Sequence, residues 1–123
     1  MKNCVNAIEF YKKVFEAREE YRFTMPDDNT KIIHAVMRIG NHSRIMLADE
    51  FPGMCDSSSS DGRKIGSLKT VGGNSVFLRM YFEDVDEIFN KAQNEGAIVV
   101  MPLMDAFWGD RYGQLKDPFG HIW

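Results

Sequence analysis

Apolar residues at Ala7, Phe10, Tyr11, Val14 and Phe15 fall at the three- and four-residue spacing of one helical face. Asn6-Ala7-Ile8-Glu9 resembles a capping box, with Asn3 competing for the cap, and the helix is expected to end near Glu16. Residues 18–25 read as a strand and Pro26-Asp27-Asp28-Asn29 as a turn. Over residues 31–39 the period becomes two. Ile33, Ala35, Met37 and Ile39 take one face; Ile32, His34, Val36 and Arg38 take the other. Gly40-Asn41 is a two-residue hairpin signal, so residues 43–49 should pair antiparallel with that strand.

Residues 51–74 have no periodicity. The run Ser57-Ser58-Ser59-Ser60-Asp61-Gly62 is flexible in composition and Gly72-Gly73 closes the stretch, which reads as a linker between two halves. Alternation returns over 75–82, with Val76, Leu78, Met80 and Phe82 opposite Phe77, Arg79 and Tyr81. Asp84-Val85-Asp86-Glu87 is a capping box for a helix whose buried stripe is Val85, Ile88, Phe89 and Ala92, with Gly96 as terminator. Residues 98–103 form a strand, Trp108-Gly109-Asp110 a turn, and residues 111–116 a second strand. Asp117-Pro118-Phe119-Gly120 has the residues of a type I turn, and His121-Ile122-Trp123 begins another strand.

The two halves match at a fixed offset. Val5 and Val85, Ile8 and Ile88, Ala17 and Ala97, and Gly40 and Gly120 are each 80 residues apart, so helix, helix stop and hairpin turn coincide. A repeat of this length indicates a duplicated supersecondary unit. Shifted by the same offset, strand 75–82 falls mostly before Met1 and strand 43–49 almost wholly after Trp123. Four strands per unit are therefore expected, with the missing ones in residues outside this sequence or, alternatively, supplied by a partner chain.

Composition narrows the class. The length of 123 residues fits one domain, and 44% hydrophobic with 27% charged residues fits a soluble globule. A net charge of −3 argues against general nucleic-acid binding, which needs a basic face. No apolar run reaches the roughly 20 residues of a membrane span, and the start lacks a signal-peptide core, so no membrane partner and a cytoplasmic location are expected. Cys4 and Cys55 are too few for a disulfide framework or a zinc site; two free thiols are expected, with a single disulfide left open.

Three stretches carry a family resemblance: residues 6–15 (NAIEFYKKVF), residues 81–86 (YFEDVD), and Phe107-Trp108-Gly109-Asp110-Arg111 with Asp117-Pro118-Phe119-Gly120-His121-Ile122-Trp123. With the repeat, the chain resembles the vicinal oxygen chelate superfamily of glyoxalases, extradiol dioxygenases and bleomycin and fosfomycin resistance proteins. Within it, the likeness is to the PhnB-like branch often labelled 3-demethylubiquinone methyltransferase-like. The resemblance implies an α+β fold of two βαβββ units in a cupped, half-open mixed sheet around a cleft, and a homodimer. One departure is Glu16, where the family commonly has Gly; a different helix exit is expected there.

Enzymes of the superfamily hold a divalent ion with His and Glu from four strand positions. By the resemblance, one such position is Phe77. A second falls just after Trp123, its counterpart in the repeat is Arg44, and the fourth lies before Met1. An aromatic ring and a guanidinium do not ligate metal, so no metal and no cofactor are expected. If the apolar faces pack on the helices, the cleft side carries His34, Arg38, Arg44, Phe77, Arg79, Tyr81, Tyr112 and Gln114. Arginines among aromatics suit a planar or anionic small molecule; the plainer reading is that Arg38 and Arg44 pair with nearby acids. His34 is the one candidate general base, against a structural role. Trp108 and Arg111 are expected to shape the hairpin or a dimer contact, and Asp117 to form the turn and nothing more.

Three functions follow. The first is a metal-free binding protein for a small planar or anionic molecule. The second is a metal-dependent or His34-dependent enzyme of lyase, isomerase or oxidoreductase type with a non-standard site. The third is a dimeric module whose cleft is filled by its own side chains. No glycine-rich adenosyl-binding loop supports methyl transfer.

Overall fold

A computed structural model describes residues 1–51 and 66–123. The chain divides into two units, Met1–Gly73 and Asn74–Trp123, each with helix and antiparallel sheet, so the class is α+β.

In the first unit, α1 (Cys4–Phe15) begins from Asn3 rather than Asn6: the Asn3 side chain accepts a hydrogen bond from the Asn6 backbone N–H at 3.3 Å. The five expected apolar positions are buried, joined by Cys4 and Ile8. Burial, with the Asp49 carboxylate beside it, pushes the Cys4 thiol up to about 11, so this free cysteine serves as a small neutral filler. Cys55 and the serine run lie outside the described residues.

The expected change of helix exit at Glu16 does not occur. Glu16 takes the left-handed conformation (φ 53°) in which glycine is at ease, and the exit keeps its geometry at the expense of strain. Because Glu16 is exposed, Glu16→Gly should raise the unfolding free energy by roughly 0.5–1 kcal/mol. Urea denaturation checks this; a destabilised variant would mean that the side chain matters more than the backbone.

Three strands follow, β1 (Arg18–Met25), β2 (Asp28–Ile39) and β3 (Ser43–Leu47), in the order β1-β2-β3. The expected apolar face of β2 is buried at Ala35, Met37 and Ile39, Val36 is buried on the other face as well, and the reading fails before His34. Phe23 pairs with His34 but Thr24 pairs with Ile32, leaving Ile33 as an extra residue in a bulge. A bulge reverses the in–out parity of a strand. Ile32 is accordingly fully buried and Ile33 exposed, the opposite of the alternation reading.

Glu19 on β1 accepts from Arg22 at 2.7 Å and lies 2.8 Å from the Lys12 ammonium. Arg22 first, then Lys12, hold its carboxyl down at about 2 against an ordinary 4.5. A depressed folded-state value stabilises fully above 4.5 and is lost as pH falls toward 2. Glu19→Gln should therefore cost roughly 1–2 kcal/mol at pH 7 after screening, and the gap from the parent should close across that acid window. A gap independent of pH in acid denaturation would refute the assignment.

The end of the expected linker is ordered. Ser67 caps a single turn, α2 (Leu68–Val71), and Gly72 ends it at φ 77°. One turn is too short to show a period in sequence.

In the second unit Asp84 caps α3 (Val85–Asn94), accepting from the Glu87 N–H at 2.9 Å, with Phe89 and Ala92 buried and Val85 and Ile88 partly so. The hairpin pairs β4 (Ile98–Asp105) with β5 (Arg111–Lys116). Moved by 80 residues, β1 lands on β4 end for end, Arg18 on Ile98 and Met25 on Asp105. Gly113 has no room for a side chain: a Cβ there would lie 2.8 Å from the Phe89 ring and 3.2 Å from the Leu103 backbone. The missing Cβ lets α3 lie close on the hairpin.

The expected strand at 75–82 is extended but not laddered. Phe77 bridges Ile122 in parallel and the Leu78 N–H donates to the Ile122 carbonyl at 2.9 Å. On their other edge, residues 121–123 pair with β5 through two Leu115–Trp123 bonds of 3.0 and 2.8 Å. The in–out reading survives over 77–82: Leu78, Met80 and Phe82 are half-buried, while Phe77, Arg79 and Tyr81 are exposed.

Candidate functional site

Five of the eight expected cleft residues line one cavity of about 590 Å³ in the second unit: Phe77, Arg79, Tyr81, Tyr112 and Gln114. The extended segment 77–82 forms one wall. Residues 83–86, leading into α3, and 109–114, from the hairpin turn and β5, form others, with Ile122 and Trp123 completing the lining. The aromatic rings come from segments with different reasons to be there. Phe77 is placed by its bridge to Ile122, Tyr112 by β5, and Trp123 by its backbone pairing to Leu115.

Arg79 is the centre of this arrangement. Its guanidinium carbon lies 5.2 Å from the ring centres of both Tyr81 and Tyr112, within cation–π range. Its Nη2 donates to the Asp110 carboxylate at 2.9 Å, and the same oxygen accepts from the Trp108 indole N–H at 2.9 Å. Gln114 donates to the Tyr112 hydroxyl at 2.8 Å, which fixes that ring from the other end.

Arg111 joins β5 to the start of α3. It donates to both Asp86 oxygens, at 2.6 and 2.7 Å, and reaches Asp105 at 3.2 Å. Asp86 and then Asp105 push its guanidinium higher still, and Arg111 holds the Asp86 carboxyl below the usual range. Trp108 packs edge-on against Tyr112 at 5.6 Å. Both residues shape the hairpin.

The remaining three expected residues belong to the first unit. Arg38 and Arg44 both grip Glu20, Nε of each donating at 2.7 Å, and Arg44 then Arg38 hold the Glu20 carboxyl low. The plainer reading of these two arginines is the one the geometry supports. Glu20 is the extra residue of an irregularity between Glu19 and Tyr21 in β1, which the sequence pattern does not reveal. His34 has the Tyr21 ring 5.9 Å away, and no carboxylate orients its imidazole among the described contacts. A general base in a catalytic pair needs such an orienting partner.

Asp117 does more than form a turn, contrary to expectation. It is 3% exposed, accepts from the Phe119 and His121 N–H groups at 2.9 Å each, and meets His121 Nδ1 at 3.2 Å and the Trp123 indole N–H at 2.9 Å. It therefore orients Trp123 in the cavity wall.

The sequence profile of the Glyoxalase/Bleomycin resistance protein/Dioxygenase superfamily matches residues 2–123. The chain belongs to this superfamily. The uncharacterized proteins Mb0911c of Mycobacterium bovis and Rv0887c of Mycobacterium tuberculosis are each 44% identical to this superfamily member over 121 residues, 98% of the chain. The chain spans 74% of the first protein's length and 66% of the second's. Among solved structures, TioX from Micromonospora sp. ML1 is similar with a TM-score of 0.67 at 26% identity, covering 100% of this chain and 88% of that one. The putative 3-demethylubiquinone-9 3-methyltransferase PhnB protein from Bacillus cereus has a TM-score of 0.63 at 18% identity, covering 99% and 88%, and shows the shared fold.

The superfamily's divalent ion can be tested against the residues present. Phe77 is an aromatic wall of the cavity, and the Arg44 guanidinium is committed to Glu20. Among the described residues, no group of three or more His, Cys, Asp or Glu side chains is placed to hold a metal. Neither of these two positions, Phe77 and Arg44, offers the ion a ligand. No helix of the described residues is long and apolar enough to cross a membrane.

Proposed function

We propose that this superfamily member binds a small planar molecule in the second-unit cavity without the superfamily's metal. The observation that carries the reading is Arg79, set within 5.2 Å of two tyrosine ring centres at the cavity and tied to Asp110. Rings and a fixed guanidinium plane offer stacking surfaces for a flat ligand. Of the two ligand types compatible with the sequence, the planar one is favoured over the anionic one. Arg38, Arg44 and Arg79 each already have a carboxylate partner, so an anion would first have to displace it. Phe77 and Tyr81 are 64% and 75% exposed, which argues against a cavity filled by its own rings.

The test is a titration with a neutral bicyclic aromatic, 2-naphthol, followed by tryptophan fluorescence and thermal shift. Saturable binding at roughly 10–100 μM is expected, with Tyr112→Ala weaker by about tenfold because a stacking ring is worth ~1 kcal/mol or more. No saturation, or equal affinity in the Tyr112→Ala protein, would refute the reading. A homodimer, expected from the resemblance, is checked by light scattering on the same sample.

A further inference from the structure

We infer that this cavity selects planar cations over planar anions, and that Glu83 sets the preference. The inference rests on the reading above, that the cavity holds a flat ligand, and adds the charge that ligand carries.

The cavity lining holds four carboxylates, Glu83, Asp84, Asp86 and Asp110, against two guanidiniums, Arg79 and Arg111. Both guanidiniums are matched within the site: Arg79 to Asp110 at 2.9 Å, and Arg111 to Asp86 through two bonds of 2.6 and 2.7 Å. Two acids remain. Asp84 is engaged as the helix cap, its oxygen accepting from the Glu87 N–H at 2.9 Å. Glu83 makes no hydrogen bond or ion pair among the described residues, and its charge is uncompensated at the cavity. An anion entering here meets that charge and finds both guanidiniums already paired with carboxylates. A cation meets the opposite: a free carboxylate, and aromatic faces whose quadrupoles attract positive charge. The chain itself contains the analogue, since Tyr81 and Tyr112 already flank a planar cation, the Arg79 guanidinium, at 5.2 Å.

At a few ångströms and the high dielectric of an exposed rim, one uncompensated charge separates a univalent cation from a univalent anion by roughly tenfold in affinity. Three bicyclic probes of similar outline measure this: N-methylquinolinium, 2-naphthol and naphthalene-2-sulfonate, titrated calorimetrically into the full chain. At low salt the quinolinium should bind about tenfold tighter than the sulfonate, and near 1 M salt, where the Debye length is ~3 Å, the difference should shrink to about twofold. Glu83→Gln, at an exposed position, should remove most of the cation's roughly tenfold advantage over the sulfonate. A sulfonate that binds as tightly as the quinolinium, or a Glu83→Gln protein with the full preference, overturns the inference while binding of 2-naphthol leaves the planar-ligand reading standing. Failure of all three probes overturns both.

Discussion

Asp49→Ala should lower the unfolding free energy by about 3–5 kcal/mol, a large part of the stability of a domain this size. The Asp49 side chain is 4% exposed and bridges two elements that are distant in sequence. One oxygen accepts from the Cys4 N–H at 2.8 Å, the other from the Ile32 N–H at 2.9 Å, and the Asp49 N–H returns a bond to the Ile32 carbonyl at 2.8 Å. Cys4 opens α1, so its N–H is one of the donors with no partner inside the helix, and a carboxylate there is also favoured by the helix dipole. Ile32 adjoins the bulge in β2, where the ladder is interrupted. Alanine leaves both N–H groups buried and unpaired, at about 1–3 kcal/mol each. Asparagine keeps one acceptor and turns an amide donor toward the other N–H, so roughly half the loss is expected. Urea denaturation followed by circular dichroism measures both variants. If Asp49→Ala loses less than about 1 kcal/mol, the bridge contributes little and water replaces it.

Local rules carried much of this fold. Helix α1 shows its face through five apolar residues, and α1 and α3 announce their ends through a cap or a left-handed exit. β1 and β5 run over the expected residues: the helix exit at Glu16 and the turn at Pro26-Asp27 bound the first, Gly109-Asp110 and Asp117-Pro118 the second. What stayed hidden depends on partners far along the chain. Nothing near Ile33 signals that β1 will skip it, and the consequence is a reversed face for Ile32. Residues 75–82 alternate like a strand, yet alternation describes side chains and not the backbone bonds that make a ladder.

The candidate site divides in the same way. Alternation brought Phe77, Arg79, Tyr81, Tyr112 and Gln114 to one cavity, since face selection is a local property. It could not show that Glu20 would neutralise Arg38 and Arg44, or that Asp110 would hold Arg79, because ion pairing depends on where loops and bulges deliver carboxylates. Asp84 was legible as the cap of α3 because the capping box is a local pattern. Asp49 and Asp117 were legible only as the ends of a strand and a turn. Their burial is what turns each into an organiser of other segments.

Asp117→Ala is expected to be as damaging as the loss of Asp49, about 3–5 kcal/mol, and to disturb the cavity as well. Its buried carboxylate collects the Phe119 and His121 N–H groups on one oxygen, and His121 Nδ1 and the Trp123 indole on the other. The turn itself is also closed by backbone bonds, Asp117 N–H to the His121 carbonyl at 2.8 Å and Gly120 N–H to the Asp117 carbonyl at 3.1 Å. Asp117→Asn separates the two roles. Its remaining carbonyl oxygen can still serve the two backbone donors, while its NH₂ would face the indole N–H, donor against donor. Asparagine should therefore lose only about 1–2 kcal/mol of stability but free the Trp123 ring, seen as a weaker near-ultraviolet tryptophan dichroism. Because Trp123 lines the cavity, affinity for 2-naphthol should fall severalfold in the same variant. Retained tryptophan dichroism in Asp117→Asn would show that the Leu115 pairing alone positions the ring, and Asp117 would then be a determinant of stability only.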